Sequence, residues 1–189
     1  MSSKPLRADA RRNRERILAA AGEVFARRGG AASTEDVAAL AGVAIGTVFR
    51  HFPTKQDLLS AIVKDLLARL TAEVTELADG DPATALFDFF TRVVEQASAK
   101  KAVVELLAQG GVQVGVADPV RTLRDAIGVL LERARSAGAV RADVRLDEVM
   151  ALLTATAQGA LHGGWSDDLR HRTLQVIFAG LASVPRSPA

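Results

Sequence analysis

Three histidines and no cysteine limit the metal and nucleophile chemistry open to this chain. Asp168 and His171 stand three residues apart, a spacing at which two side chains share one face of a helix and can hold a common metal ion. No second pair of that kind accompanies them. Polar residues at a helix end or on the surface are the simpler reading, and no metal or cofactor is expected. The chain has no Gly-x-Ser-x-Gly elbow, no Walker loop and no dinucleotide fingerprint. Gly110, Gly111 and Gly115 carry no lysine and follow no strand, so they are weak evidence for phosphate binding. Catalysis is therefore not expected. Carboxylates such as Asp143, Asp147 and Glu148 read as solvated or helix-N-terminal charges.

The stretch from Ser33 to Leu59 carries a different chemistry, that of surface recognition. Ser33 can cap a short helix running to Ala41, with Asp36 closing a capping box and Val37, Ala38 and Leu40 supplying apolar contacts. Gly42 suits the left-handed C-cap that ends it. A second short helix fits Ile45 to His51. Two short helices about a glycine turn read as a helix-turn-helix, whose second helix can enter the DNA major groove. On that pattern alone, an ordinary corner between two helices is the stronger reading. If the second helix does read DNA, Ala44, Ile45 and the methyl of Thr47 suit thymine methyl groups, and Gly46 lets the backbone come close. Lys55 lies in the first turn of the next helix, a position that favours phosphate.

Gly42-Val43, Gly46-Thr47, Phe49, His51-Phe52, Lys55 and Leu58-Leu59 fall in the order and spacing of the TetR family of repressors, which this stretch resembles. Upstream, Ile17-Leu18, Ala20-Ala21, Val24-Phe25, Gly29, Ser33 and Val37-Ala38 fit the same family's first two helices. Phe49 stands where the family usually has tyrosine, Ala44 where a serine often caps, and Gly30 where an aromatic is usual. The resemblance implies a three-helix DNA-binding head on a helical, homodimeric body. It maps Ser33, Phe49, His51 and Lys55 onto positions that hold or flank phosphates, with Arg50 among the DNA-facing residues. The alternative for Phe49 and His51 is packing within the head.

The formal net charge of +2 hides an asymmetry. Residues 1–57 hold ten Lys/Arg against six Asp/Glu, whereas residues 58–189 hold fourteen against sixteen. Residues 1–12 read as a basic flexible arm in which Arg7, Arg11 and Arg12, with Arg14 beyond, can follow a DNA backbone or enter a minor groove. A solvated tail is the alternative. Met1 to Arg16 has no apolar core and does not read as a signal peptide. There is no apolar run long enough for a membrane span, and the lack of cysteine fits a reducing cytoplasm. Cytoplasmic location without membrane partners is the expectation.

Helical periodicity organises the rest. A first helix runs from about Asn13 to Arg28, with residues 1–10 expected to be disordered. Thr54 and Asp57 cap a long fourth helix whose stripe reaches Ala78; the family resemblance makes it the lever between head and body. Asp81-Pro82 starts a fifth helix, Ala102 to Gln109 forms a sixth, and Gly110 to Gly115 reads as a mobile gate. Asp118-Pro119 starts a seventh that Gly138 stops. The eighth spans about Leu146 to His162, and the ninth Ser166 to Ser183. The fold class is therefore all-α with about nine helices: a DNA-binding domain over residues 13–59 and an effector-binding and dimerisation domain over 60–185.

In the last two helices Ala151, Leu152, Ala155, Gly159, Val176, Ile177, Gly180 and Leu181 offer small or apolar residues in line, which lets helices approach closely. Intrachain packing is the competing reading. The resemblance implies a four-helix dimer interface here, and this part weakly resembles the C-terminal domain of the SbtR-like branch. Leu66, Leu70, Phe87, Phe90, Val94, Leu107, Leu123, Ile127 and Leu130 can wall an effector pocket oriented by Gln109, Gln113, Thr154 and Gln158, or simply fill the core. No positive cluster stands among them, so an apolar or weakly polar small-molecule effector is expected. The function expected is that of a DNA-binding transcriptional regulator, released from a palindromic operator by that effector; an effector-independent DNA-binding or structural module is the alternative.

Overall fold

The computed structural model describes residues 4–28, 32–97 and 117–183. These form α1 (Lys4–Arg28), α2 (Thr34–Ala41), α3 (Ile45–His51), α4 (Lys55–Ala78), α5 (Ala85–Glu95), α6 (Ala117–Ser136), α7 (Leu146–His162) and α8 (Asp167–Leu181). Among the described residues there is no strand, although Val140 and Ala182 meet in an isolated antiparallel bridge. The expected sixth helix and the glycine-rich gate at 110–115 lie outside the described residues.

Two apolar cores are strung on one helix. Ile17, Ala21, Val24 and Phe25 of α1 pack with Val37 and Ala38 of α2, Val48 of α3, and Leu58 and Ile62 of α4. From Val63 onward, α4 turns its apolar stripe into a second core. There Val63, Leu67, Leu70 and Val74 meet residues of α5, α6, α7 and α8. α4 packs most extensively on α6, and α5 lies against both α7 and α8.

The head is fixed by local capping. Ser33 Oγ accepts a hydrogen bond from Asp36 N–H at 3.1 Å, and Asp36 accepts from Ser33 N–H at 3.3 Å. Thr54 and Asp57 repeat the arrangement at 3.0 and 3.1 Å where α4 begins. These boxes satisfy backbone donors that a helix start otherwise leaves orphaned. Gly42 ends α2 with φ +62°, a conformation that a side chain would strain. Ser33→Ala is expected to lower stability by about 1 kcal/mol, read as a shift in the denaturation midpoint; an unmoved midpoint would contradict the role given to this cap. The hydrogen bond from Ser33, assisted by its N–H and by Arg28, holds the Asp36 carboxyl below the usual carboxylate range. A lowered carboxyl stabilises the fold above its unfolded-state pKa, and that contribution is lost as pH falls through the native value. The difference between wild type and Ser33→Ala should therefore shrink in acid.

Two helix starts differ from expectation. α1 begins at Lys4 rather than near Asn13, so from Lys4 on the stretch expected to be disordered is helical. Alanine, leucine and arginine sustain it, Pro5 falls in the first turn where its missing N–H is harmless, and Asp9–Arg12 and Arg11–Glu15 pair along its side. α5 begins at Ala85, not Pro82. Asp81 Oδ1 accepts from Ala83 N–H at 2.9 Å and Asp81 O from Ala85 N–H at 3.0 Å, which holds Pro82 to Thr84 in a turn. α6 ends at Ser136, and Gly138 just beyond it takes φ +71°, the left-handed conformation expected of the residue that stops the helix.

Candidate nucleic-acid interface

α3 has a buried side and an open side. Val48 is fully buried in the head core. Gly46 and Arg50 are exposed opposite it, and Ile45, 37% exposed, and Phe49, 43%, stand at one edge of that open side. A Cβ added to Gly46 would meet nothing within 4 Å, so this turn of the helix faces open space. Thr47 and His51 are half-buried at the other edge, and the His51 ring lies 6.2 Å from that of Phe52. Ala44 is exposed at the N-cap and makes no side-chain cap, since alanine has no oxygen to offer.

Two of the residues expected to hold phosphate already have work within the head. The Ser33 hydroxyl donates to Asp36 Oδ2 at 3.0 Å, which uses its one proton. Lys55 Nζ donates to Ala32 O at 2.8 Å and sits 5.6 Å from the centre of the Phe25 ring, so it ties α4 to the turn before α2. Arg11 and Arg12 are exposed on α1 and paired with Glu15 and Asp9.

Structural uses of the basic cluster escaped the sequence reading. Arg16 donates to Ala41 O at 2.5 Å and to Gly42 O at 3.3 Å, satisfying carbonyls at the end of α2. Arg14 lies 5.5 Å above the Phe52 ring at the end of α3, and Arg28 bonds Asp36 at 2.6 Å. These contacts lock the angle between α1 and the helix-turn-helix. The partners are 8 to 38 positions away, and only a charge run marks these arginines in the sequence.

In the body, the described residues among those expected to wall a pocket belong to the core or pack against it. Leu70, Phe90, Val94, Leu123, Ile127 and Leu130 are buried in it, and Leu66 and Phe87 pack against it. Phe178 of α8, missed from the sequence, joins Phe87 at 4.9 Å and Phe90 at 5.6 Å. Thr154 and Gln158 are half-buried on α7; Leu107, Gln109 and Gln113 lie outside the described residues. An open cleft of about 450 Å³ lies between α6 and the start of α7, along Asp125, Gly128, Val129 and Leu146. Another of about 400 Å³ adjoins Glu95, Arg170 and His171. No three His, Asp or Glu among the described residues gather to hold a metal.

The helix pair expected at a dimer interface divides. Ala151, Ala155 and Gly180 are exposed, Val176 is 74% exposed, and Leu152 and Ile177 are partly buried. Leu181 and Gly159 face inward. Leu181 is 5% exposed within its own chain's core. A Cβ on Gly159 would come within 2.6 Å of Trp165 Cζ2, so this glycine makes room for the indole of the same chain.

A helix-turn-helix head carried on an all-helical body defines a class of DNA-binding regulators. Residues 17–62 match the family model of bacterial regulatory proteins of the tetR family, and residues 81–183 that of the C-terminal domain of SbtR-like transcriptional regulators. A TetR transcription regulatory protein from Mycobacterium vanbaalenii is 36% identical with a TM-score of 0.74, over 94% of this chain and 99% of that one. The TetR transcriptional regulator SCO0520 from Streptomyces coelicolor is 32% identical with a TM-score of 0.71, over 90% and 99%. The HTH-type transcriptional repressor Rv3405c of Mycobacterium tuberculosis is 42% identical over 82 residues, which are 43% of this chain and 44% of that protein. The match thus spans less than half the length of that curated relative. The chain belongs to the TetR family of transcriptional regulators. Family and relatives are regulators, not enzymes, and no helix among the described residues is long and apolar enough to cross a membrane.

Proposed function

We propose that the protein is a cytoplasmic repressor that occupies a palindromic operator as a homodimer and leaves it when an apolar small molecule binds the body. The observation that carries this reading is the division of α4 between two cores: its first two turns pack in the head and the rest in the body. A change in how the body packs on α4 is thereby transmitted to the base of the recognition helix. Two heads on one dimer meet half-sites about one helical turn apart, and their spacing decides operator affinity. In this reading Ala44, Ile45, Gly46, Phe49 and Arg50 face base edges, and Arg11 and Arg12, with Arg7 before them, follow the backbone. Ala151, Ala155, Val176 and Gly180 meet the second subunit. The effector parts α4 from α5, α6 and α7 near Leu66, Phe87 and Thr154.

A second reading, regulation without an effector, is favoured by the packed state of Leu70, Phe90, Ile127 and Leu130. One experiment separates the two. Fragments of the source genome retained by the protein are recovered, and small apolar compounds are screened for release. A true effector weakens operator binding by the same factor by which operator weakens its own binding. Retained DNA that no compound releases selects the second reading; no sequence-selective retention defeats both.

A further inference from the structure

On the open side of α3, the exposed side chains are Ile45, Phe49 and Arg50, with Gly46 between them. We propose that the head selects its operator chiefly by covering the C5-methyl groups of thymine with Ile45 and Phe49, a reading that rests on the regulator function above. Neither side chain has a hydrogen-bond donor or acceptor, so neither can read the donor and acceptor pattern of a base pair. The one apolar feature that a base pair shows in the major groove is the thymine methyl. Selection is two-sided. A methyl against Ile45 or Phe49 removes apolar surface from water on both partners. A G·C pair at the same place would have its O6, N7 or N4–H₂ groups stripped of water by a side chain that returns no hydrogen bond.

The backbone geometry favours this approach. Gly46 has no neighbour within 4 Å of where a side chain would begin, so the helix can sit deep in the groove at that turn. Residues four apart on a helix stand about 6 Å apart along its axis. With α3 lying along the groove, that is close to two base-pair steps of about 3.4 Å each. The two methyls therefore come from base pairs two steps apart. Thr47, half-buried at the far edge, is not placed to share this role. Arg50 can fix the register on a phosphate or a guanine without supplying the methyl preference.

The test uses duplexes selected from a random-sequence pool by the full-length protein. Each thymine is replaced singly by deoxyuridine, which removes the methyl and keeps the hydrogen-bonding edge. Affinity is expected to fall about fourfold for each methyl lost, at two positions per half-site beyond any that the exposed methyl of Ala44 covers. Phe49→Ala should flatten one position and Ile45→Ala the other, both being exposed side chains outside the core. Arg50→Ala should weaken binding and leave both uracil effects in place. A scan that is flat at every position, or uracil effects that survive unchanged in both alanine variants, overturns the methyl assignment while leaving the regulator intact. Failure to select any preferred duplex overturns both.

Discussion

Val176→Glu is expected to turn the proposed dimer into a monomer at micromolar concentration and to remove operator binding at physiological salt. Val176 is 74% exposed, the most open of the large apolar side chains on the described surface. It stands on α8 one turn before Gly180, also exposed, and α7 presents Ala151 and Ala155. A carboxylate here is harmless while the subunit is alone. In a two-fold interface it enters twice, and burying each charge costs several kcal/mol that Arg172, one turn earlier on α8, offsets only in part. Dimer dissociation should rise by at least a hundredfold, seen as a single slow boundary in sedimentation velocity. Each released subunit keeps one head, and the gain from linking two half-sites vanishes. Val129→Glu is the control: Val129 is 53% exposed on α6, beside the start of α7 at Leu146 and not on the faces of Ala151, Ala155, Val176 and Gly180, and its variant should stay dimeric. A Val176→Glu protein that still sediments as a dimer would remove α8 from the interface.

What the sequence made legible was what the backbone decides locally. Ser33 with Asp36 and Thr54 with Asp57 are three residues apart, and each box formed where the pattern placed it. Gly42 and Gly138 take the left-handed conformations that their positions after helical stripes require. The ends of the helix at Leu146–His162 follow from the same kind of signal, a periodic run stopped by Gly163 and Gly164. The misplaced starts of α1 and α5 are also local, but they turn on competition. A charged run with Pro5 near its head can extend a helix or fray, and Asp81 can cap a helix or hold a turn. Pattern alone does not rank those outcomes.

The site was harder to read because its arrangement is set across distance. The stretch Gly42 to Leu58 was recognisable as a unit, yet nothing within it says that Lys55 bonds the Ala32 carbonyl or that Arg16 closes α2 from 25 residues away. Small residues on α7 look alike in sequence. Ala155 is exposed, while Gly159, one turn on, is filled by Trp165. Apolar residues at helical spacing likewise do not say whether they enclose a cavity or fill one. For Phe90, Ile127 and Leu130 the described packing is that of a filled core.

Lys64→Pro should split the molecule into two independently melting parts. Lys64 is exposed, so the substitution removes no core side chain. It falls just past the junction at which α4 passes from the head core, ending at Ile62, to the body core, beginning at Val63. Proline in a helix interior deletes one backbone hydrogen bond and clashes with the carbonyl four residues before it, which costs about 3 kcal/mol or more. Stability of that size is a large part of what a domain possesses. The native chain is expected to unfold in one calorimetric transition, because α4 belongs to both cores and neither can lose it alone. In Lys64→Pro the first turns of α4 can remain with α1, α2 and α3 while the remainder stays with α6. Two transitions should then appear, the head melting first, since it holds the smaller core. Operator affinity should also fall by far more than in Lys64→Ala, which removes the same charge and keeps the helix. A single transition at a uniformly lower temperature, with operator affinity equal to that of Lys64→Ala, would show that α4 does not couple the two cores. The lever would then have to be sought elsewhere in the fold.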